Sequence, residues 1–114
     1  MTTINHSTDY NVGNGAVKVE WSGLVAGDDG QPFDCSGLKL GSVHYSGTFS
    51  GGQADLDGSN ELSPANFVSF DNAGSPVIRV PEVDNGNLFF IGSIRPRLSG
   101  GSGILNVSAI FVPA

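Results

Sequence analysis

The stretch VHYSGTF, Val43–Phe49, decides the fold class of this chain. Side chains alternate between the two faces of a β-strand, so Val43, Tyr45 and Phe49 fall on one side and polar residues fall on the other. An apolar face opposite a polar face is the pattern of a half-buried strand. The stretch therefore predicts a strand with one face in a core.

The same alternation recurs near both ends of the chain, at Val17, Val19 and Trp21 and again at Ile104, Leu105, Val107, Ala109 and Phe111. Turn residues separate such segments about every 8–12 residues, and this spacing is typical of sandwiches. The glycine-rich stretches 51–52 and 99–103 are predicted to be turns of this kind. No window carries a helical stripe. We expect an all-β chain that forms one antiparallel β-sandwich over residues 15–114, either an immunoglobulin-like Greek key or a jelly roll.

The first fourteen residues have no hydrophobic periodicity and are rich in Thr, Asn and Ser. Such a segment is expected to be a flexible N-terminal arm that orders only against a partner. Its residues Asn5, His6 and Tyr10 are candidate partner contacts. The arm also lacks the charged and apolar regions of a secretory signal, so we expect synthesis in a reducing cytoplasm.

The composition argues against several classes of function. The net charge is −6 with only five Lys and Arg, which argues against nucleic-acid binding. No apolar run approaches the ~18–20 residues of a membrane span. Cys35 is the one cysteine, which excludes an intrachain disulfide and a cysteine-based zinc site. Charged residues make up 14% of the chain and glycine is abundant, so the surface is either covered by other subunits or simply neutral and polar.

The residues suited to chemistry form no recognisable catalytic set. His44 falls on the polar side of its strand, and nothing near Cys35 in the sequence would lower the pKa of its thiol. The carboxylates of Asp28, Asp29, Asp55, Asp57 and Asp71 have oxygens that suit Ca²⁺. Their spacing does not match a calcium loop, and Asp is common in turns for its own hydrogen bonds. We therefore predict no enzyme activity and no cofactor, and the sequence favours turn chemistry over metal binding.

Arg95 and Arg97 flank Pro96, which suggests a strand edge or a bulge because proline cannot donate to a β-ladder. Two arginines at an edge are placed to pair with an acidic neighbouring subunit, so both are candidate partner contacts. The alternative is that both charges are simply solvated. Trp21, the tyrosines and the phenylalanines either fill the core or offer a sugar-binding platform, and their alternation with polar residues favours the core.

Three stretches, 47–60, 67–74 and 94–103, together with a final strand, resemble small virion proteins of tailed bacteriophages. The resemblance rests on a glycine turn, a GSN hairpin, a D-x-x-G turn and an IRP…SGG.G segment in this order. It implies an all-β, non-enzymatic protein of the capsid surface, a head decoration or cement protein. Its partners would be the major capsid protein and its own copies, with a trimer favoured at local threefold points.

The GSN hairpin is also similar to one in discoidin-like sugar-binding jelly rolls. The alternative is therefore a phage tail or fibre β-sandwich domain that binds glycan. This chain departs from the commoner pattern at residues 61–64, which lengthen a turn, and at Phe67, where tryptophan is frequent. The second change keeps an aromatic residue in place.

Overall fold

The protein is a β-sandwich of two sheets, as the alternation predicts. The computed structural model describes residues 2–60, 67–73, 77–79 and 92–113. The strands are β1 (Thr3–Ile4), β2 (His6–Gly13), β3 (Ala16–Leu24), β4 (Asp29–Gly30), β5 (Phe33–Asp34), β6 (Leu38–Gly47), β7 (Ser50–Ser59), β8 (Val68–Ala73), β9 (Val77–Arg79), β10 (Ser93–Ser102) and β11 (Leu105–Pro113). The lengthened turn at 61–64 lies outside the described residues.

The two sheets have matching strand orders. Sheet A runs β1-β4-β10-β7-β8, with β5 also paired to β10, and sheet B runs β2-β3-β11-β6-β9. Neighbouring strands are antiparallel except for the parallel pair β1–β4. Each strand of sheet A except β5 thus has a counterpart at the same place in sheet B that is nearby in the chain. This arrangement supplies the strand order that the alternation leaves open.

Two of the connections between the sheets lie side by side and form a corner. The chain passes from β6 in sheet B to β7 in sheet A through residues 48–49, and from β10 back to β11 through 103–104. The carbonyl of Ile104 accepts the N–H groups of Thr48 and Phe49 at 2.8 and 3.1 Å. The Ile104 N–H is donated to Oγ1 of Thr48 at 3.1 Å. The two crossings therefore hydrogen-bond to each other as well as continuing two paired strands.

Beside this corner, residues 51–52 and 99–102 are in strands, so the prediction of turns there was wrong, whereas Gly103 lies in the crossing. Gly52 in β7 is paired with Gly100 in β10, and the pairing continues to Ser50 and Ser102. A Cβ atom on Gly52 would lie 2.5 Å from the carbonyl oxygen of Gly100. The two backbones approach too closely for side chains, so glycine here serves the pairing and not a reversal.

The core lies between the sheets and is built from the predicted apolar positions. Trp21, Tyr45 and Phe111 are its largest fully buried side chains. The buried cluster comprises Val17, Val19, Trp21, Leu24, Phe33, Cys35, Val43, Tyr45, Phe49, Ala54, Leu56, Ile94, Leu98, Leu105, Val107, Ala109 and Phe111. Ile104, predicted on the apolar side, is instead half exposed because it lies in the corner.

Residues 3–13 are strands of the sandwich, which corrects the expectation of a loose arm over 1–14. The Thr2 carbonyl accepts the N–H of Asp29, and the Ile4 carbonyl accepts that of Gln31. The ring of His6 packs edge-on against Trp21, with centroids 5.8 Å apart. Strand β2 has no signal in the sequence because a two-residue period is visible only when one face is buried, and β2 is exposed from its second residue onward.

Candidate functional site: an Arg–Asp cluster on sheet A

The outer face of sheet A carries five charged side chains on three neighbouring strands. Strand alternation places Leu56 of β7 and Ile94 of β10 in the core, so the flanking residues point outward. The register then places Arg95 opposite Asp57, and Arg97 between Asp55 and Asp29. We call this set the Arg–Asp cluster: Asp29, Asp55, Asp57, Arg95 and Arg97.

The two arginines bridge the three carboxylates. Arg97 places Nη2 at 3.1 Å from Oδ2 of Asp55 and donates Nε–H to Oδ2 of Asp57 at 3.0 Å. Arg95 lies further from its carboxylates, with Nη1 at 3.4 Å from Oδ2 of Asp29 and Nε at 3.5 Å from Oδ2 of Asp57. The hydrogen bond from Arg97 to Asp57 raises the pKa of that guanidinium above its ordinary value.

The carboxylates of the cluster are buried although they lie on an outer face. The side chains of Asp55 and Asp57 are only 5% and 3% exposed, whereas that of Arg97 is 38% exposed. Removing a carboxylate from water costs several kcal/mol unless a cation and hydrogen bonds replace the solvent. The arginines therefore stabilise carboxylates that could not be buried without a cation. All five residues belong to one chain, so no partner is needed for this pairing.

Two neighbouring groups complete the cluster. Gln53 donates its side-chain N–H to Oδ1 of Asp55 at 3.0 Å. The ring of Phe67 lies 3.9 Å from the guanidinium carbon of Arg95, a cation–π contact. Oδ1 of Asp57 and Nε of Arg95 are buried without a hydrogen-bond partner. The cluster thus links β7 and β10 through ion pairs, while two of its buried atoms have no hydrogen-bond partner.

The arginines are therefore not at a strand edge, which corrects the prediction from Pro96. Strand β10 is interior, with β7 on one side and β4 and β5 on the other. On the second side β5 pairs with residues 93–94 and β4 with Arg97, so neither strand is paired with Pro96. The missing N–H is tolerated at this gap. Pairing of Arg95 and Arg97 with another subunit stays a prediction, and it would compete with carboxylates of their own chain.

The acidic residues considered for Ca²⁺ have other roles in the structure. Asp28 is buried and accepts the N–H groups of Val25 at 2.9 Å and of Thr2 at 3.2 Å, which is turn chemistry. Asp29, Asp55 and Asp57 face arginines. Across the described ranges, no group of three or more His, Cys, Asp or Glu side chains is placed to hold a metal ion. The side chain of Asp71 lies outside what the structure describes.

The remaining predicted contact residues lie on β2 or between β1 and β2. Asn5 is exposed between β1 and β2, and Tyr10 is 68% exposed on β2. His6 is half-buried and contacts the rings of Trp21 and Phe33. Asn5 and Tyr10 are thus accessible to a partner, whereas His6 is largely committed to the core.

The structure places the two other residues considered for chemistry, Cys35 and His44, in different environments. Burial raises the pKa of the Cys35 thiol to about 11, with a smaller contribution from the Asp34 charge. A thiol with this pKa is almost wholly protonated at neutral pH and is a poor nucleophile. His44 lies exposed on the outer face of sheet B, as its alternation predicts.

Comparison with protein-family models, with curated proteins and with solved structures finds no match to this chain. Within the described part of the chain, no helix has both the length and the apolar character needed to cross a bilayer.

The charged residues of the Arg–Asp cluster were all noted in the sequence, but their pairing with one another was not predicted. The sequence contains a signal for this pairing. Asp55 and Asp57 are two negative residues on one face of a strand, and Arg95 and Arg97 are two positive residues with the same spacing. Cross-strand pairing of such residues is a known source of sheet stability. The contributions of Asp29 and Phe67 depend on tertiary packing and had no local signal.

The cluster gives a prediction about stability. Replacing Asp57 with alanine removes the buried carboxylate that both arginines face and leaves the Nε–H of Arg97 without its acceptor, so we expect a loss of about 2 kcal/mol in the free energy of unfolding. The matched control is Glu20→Ala, which breaks the exposed pair of Lys18 and Glu20 at 3.1 Å and should cost less than about 1 kcal/mol. Urea unfolding of both variants measures the difference. Equal losses would show that burial of the cluster is unimportant.

Proposed function

We propose that this chain is a non-enzymatic structural protein of a tailed-phage particle that decorates the head. It would bind the major capsid protein and further copies of itself on the capsid surface. The phage assignment comes from the resemblance of residues 47–60, 67–74 and 94–103 to small virion proteins.

The corner is the observation that carries the proposal. The glycine motifs on which the resemblance rests, around Gly47 and Gly103, form the paired crossing between the sheets. Hydrogen bonds between the two crossings tie sheet A to sheet B in addition to the core. A sandwich whose layers are joined in this way can transmit force between surfaces bound on its two sides, which is the task of a protein that clamps shell subunits.

The outer face of sheet B is the surface we assign to the shell. Ser108 lies on the central strand β11, with Ser42, His44 and Ser46 beside it on β6 and the ion pair of Lys18 and Glu20 on its other side on β3. Small hydroxyl side chains can be covered at a lower desolvation cost than charges, and interface cores are depleted of charged residues. The outer face of sheet A, by contrast, carries the Arg–Asp cluster.

Binding of this kind stabilises a shell by mass action. When a protein contacts two adjacent capsomers, its contacts must break before the capsomers can separate. Its binding free energy therefore adds to the free energy of separating them. Many copies on one shell multiply the effect without requiring a large interface from each copy.

The glycan-binding alternative calls for exposed aromatic residues beside one another. Among the described residues, Tyr10 is the one aromatic side chain with a large exposed fraction, at 68%. A single ring gives little stacking area for a sugar, so the described residues offer no support for glycan binding.

The test is addition of the purified protein to heads that lack it, followed by electron microscopy. We expect saturable, symmetry-ordered density on the outside of the head, and no added density on heads that already carry the protein. His44→Glu puts a charge on the assigned face, next to its central strand, and should weaken binding about 10-fold or more. The matched control Ser102→Glu adds the same charge at the far end of β10 and should bind normally. Bare heads after saturation would refute the proposal.

A further inference from the structure

Strand β2 is an exposed edge of sheet B. Its partner among the described strands is β3, on one side, and every residue after His6 is exposed. An edge strand presents backbone N–H and carbonyl groups that a further strand can bind. Tyr10 and Val12, two of the exposed large apolar side chains, also lie on β2.

This edge lacks most of the features that prevent strands from pairing between molecules. His6–Gly13 contains no lysine, arginine or proline, and its one charge is Asp9. The register with β3 shifts between Asp9 and Gly13, and Oδ1 of Asp9 accepts the N–H of Asn11 at 2.8 Å. Bulges of this kind discourage pairing, so only the first half of β2 is a regular free edge.

We propose that the first half of β2 pairs with the same strand of a second copy of this chain, antiparallel and across a twofold axis. The proposal refines the self-association that is part of the proposed function. It uses one edge of sheet B and leaves the remaining surface free for a threefold contact or for a shell.

The hydrogen bond from the His6 N–H shows that the backbone groups of this residue point away from β3, and it thereby indicates which later residues have backbone groups free at the edge. His6 donates its N–H to Oε1 of Gln31 at 3.3 Å. Successive residues of a strand direct their backbone groups to opposite sides, so Thr8 and Tyr10 present theirs on the same side as His6. A partner strand would therefore be bound through these alternate residues.

The charge of Asp9 selects the register. An antiparallel twofold pair that uses these residues can place Thr8 opposite Thr8, Thr8 opposite Tyr10, or Tyr10 opposite Tyr10. The second arrangement sets Asp9 directly against Asp9, which is destabilising. The third is centred on the irregular half of the strand. The register with Thr8 opposite Thr8 avoids both problems.

In this register each copy complements the other. Ser7 faces Asp9 of the second copy on the outer face, so a hydroxyl meets each carboxylate. Tyr10 faces His6 of the second copy and loses part of its 68% exposure. Four backbone hydrogen bonds can form while the N–H of His6 stays on Gln31. A contact of about five residues a side is small, so we expect weak association in solution that many copies on one particle would strengthen.

Disulfide trapping with the purified protein tests the register. Ser7 and Asp9 of opposite copies would have Cα atoms about 4.5 Å apart, within disulfide range, whereas Ser7 and its own counterpart would be about 7–8 Å apart. An equimolar mixture of Ser7→Cys and Asp9→Cys should give at least about 10-fold more disulfide-linked dimer than either variant alone. The buried thiol of Cys35, with its pKa of about 11, contributes little background.

The other outcomes overturn the proposal. Preferential linkage of Asp9→Cys to itself would give the register rejected above. Equal yields in the three samples would indicate random collision, and no linkage would show that the edges do not meet.

A second pair of variants tests the role of the backbone. Thr8→Pro removes the central N–H and should lower the dimer yield of the mixture at least about 10-fold, whereas Thr8→Val keeps it and should not. A melting temperature close to that of the parent shows that the proline variant is folded; an unchanged yield in a folded variant would contradict strand pairing. No shell is present in these experiments, so their failure leaves the test of head decoration intact.

Discussion

Replacing Gly47 with alanine should lower the free energy of unfolding by about 4 kcal/mol, a large fraction of the total of about 5–15 kcal/mol that ordinary proteins have. Gly47 has a φ of +114°, a backbone conformation that residues with a side chain rarely adopt. A Cβ atom there would overlap the carbonyl of Ile104. That carbonyl accepts two N–H groups from the other crossing. The change therefore strains the backbone and also separates the two crossings of the corner.

The matched control is Gly37→Ala. Gly37 also has a positive φ, of +78°, but nothing lies within 4 Å of its Cβ position. The control reports backbone strain alone, which costs about 1–3 kcal/mol. Urea or thermal unfolding of both variants, with fluorescence of the single tryptophan as the probe, measures the difference. Similar losses in the two variants would mean that the contact across the corner adds nothing to stability.

Deleting residues 2–13 should also destabilise the protein severely, by about 3–5 kcal/mol or more. The deletion removes β1 and β2, one edge strand from each sheet. It also uncovers Trp21, which is fully buried in the intact protein and packs against His6. We expect a large fall in melting temperature and a red shift of tryptophan emission in the native state.

The control for the deletion is Tyr10→Ser, within the same segment. Tyr10 is mostly exposed, so this change should alter the free energy of unfolding by less than about 0.5 kcal/mol. A deletion variant that melts close to the intact protein would restore the expectation of a loose arm. It would also remove the basis for assigning β2 to the fold and to a contact between copies.

The fold class was predictable because most strands have one buried face. Val17, Val19 and Trp21 are all buried as their alternation predicts, and so are Val43 and Tyr45. A two-residue period is a local property of the sequence, and it requires no knowledge of the partner strand. It therefore identified strands reliably without indicating their order.

The wrong predictions concern a strand that has no two-residue period and glycines whose presence has two possible explanations. Strand β2 has no buried face beyond His6 and so shows no period. Glycine marks turns, but it also marks a close approach of two backbones, and the pairing of Gly52 with Gly100 is of the second kind. Only the tertiary partner distinguishes the two cases.

The candidate site was predictable in its residue types and not in its geometry. Asp55, Asp57, Arg95 and Arg97 all stood out as charges in a chain with few of them. Pro96 suggested an edge, although β10 is interior, because the short strands β4 and β5 leave a gap beside it. The tolerance of proline at that position depends on strands from a distant part of the sequence.

The place of β11 has a consequence for how the protein is made. Leu105–Pro113 is translated after every other described strand, yet it lies between β3 and β6 and joins the two halves of sheet B. A nascent chain that still lacks it has two separate groups of strands with exposed apolar faces. We expect folding to be completed only after these residues have left the ribosome, and translation products that stop short of Leu105 to aggregate or be degraded.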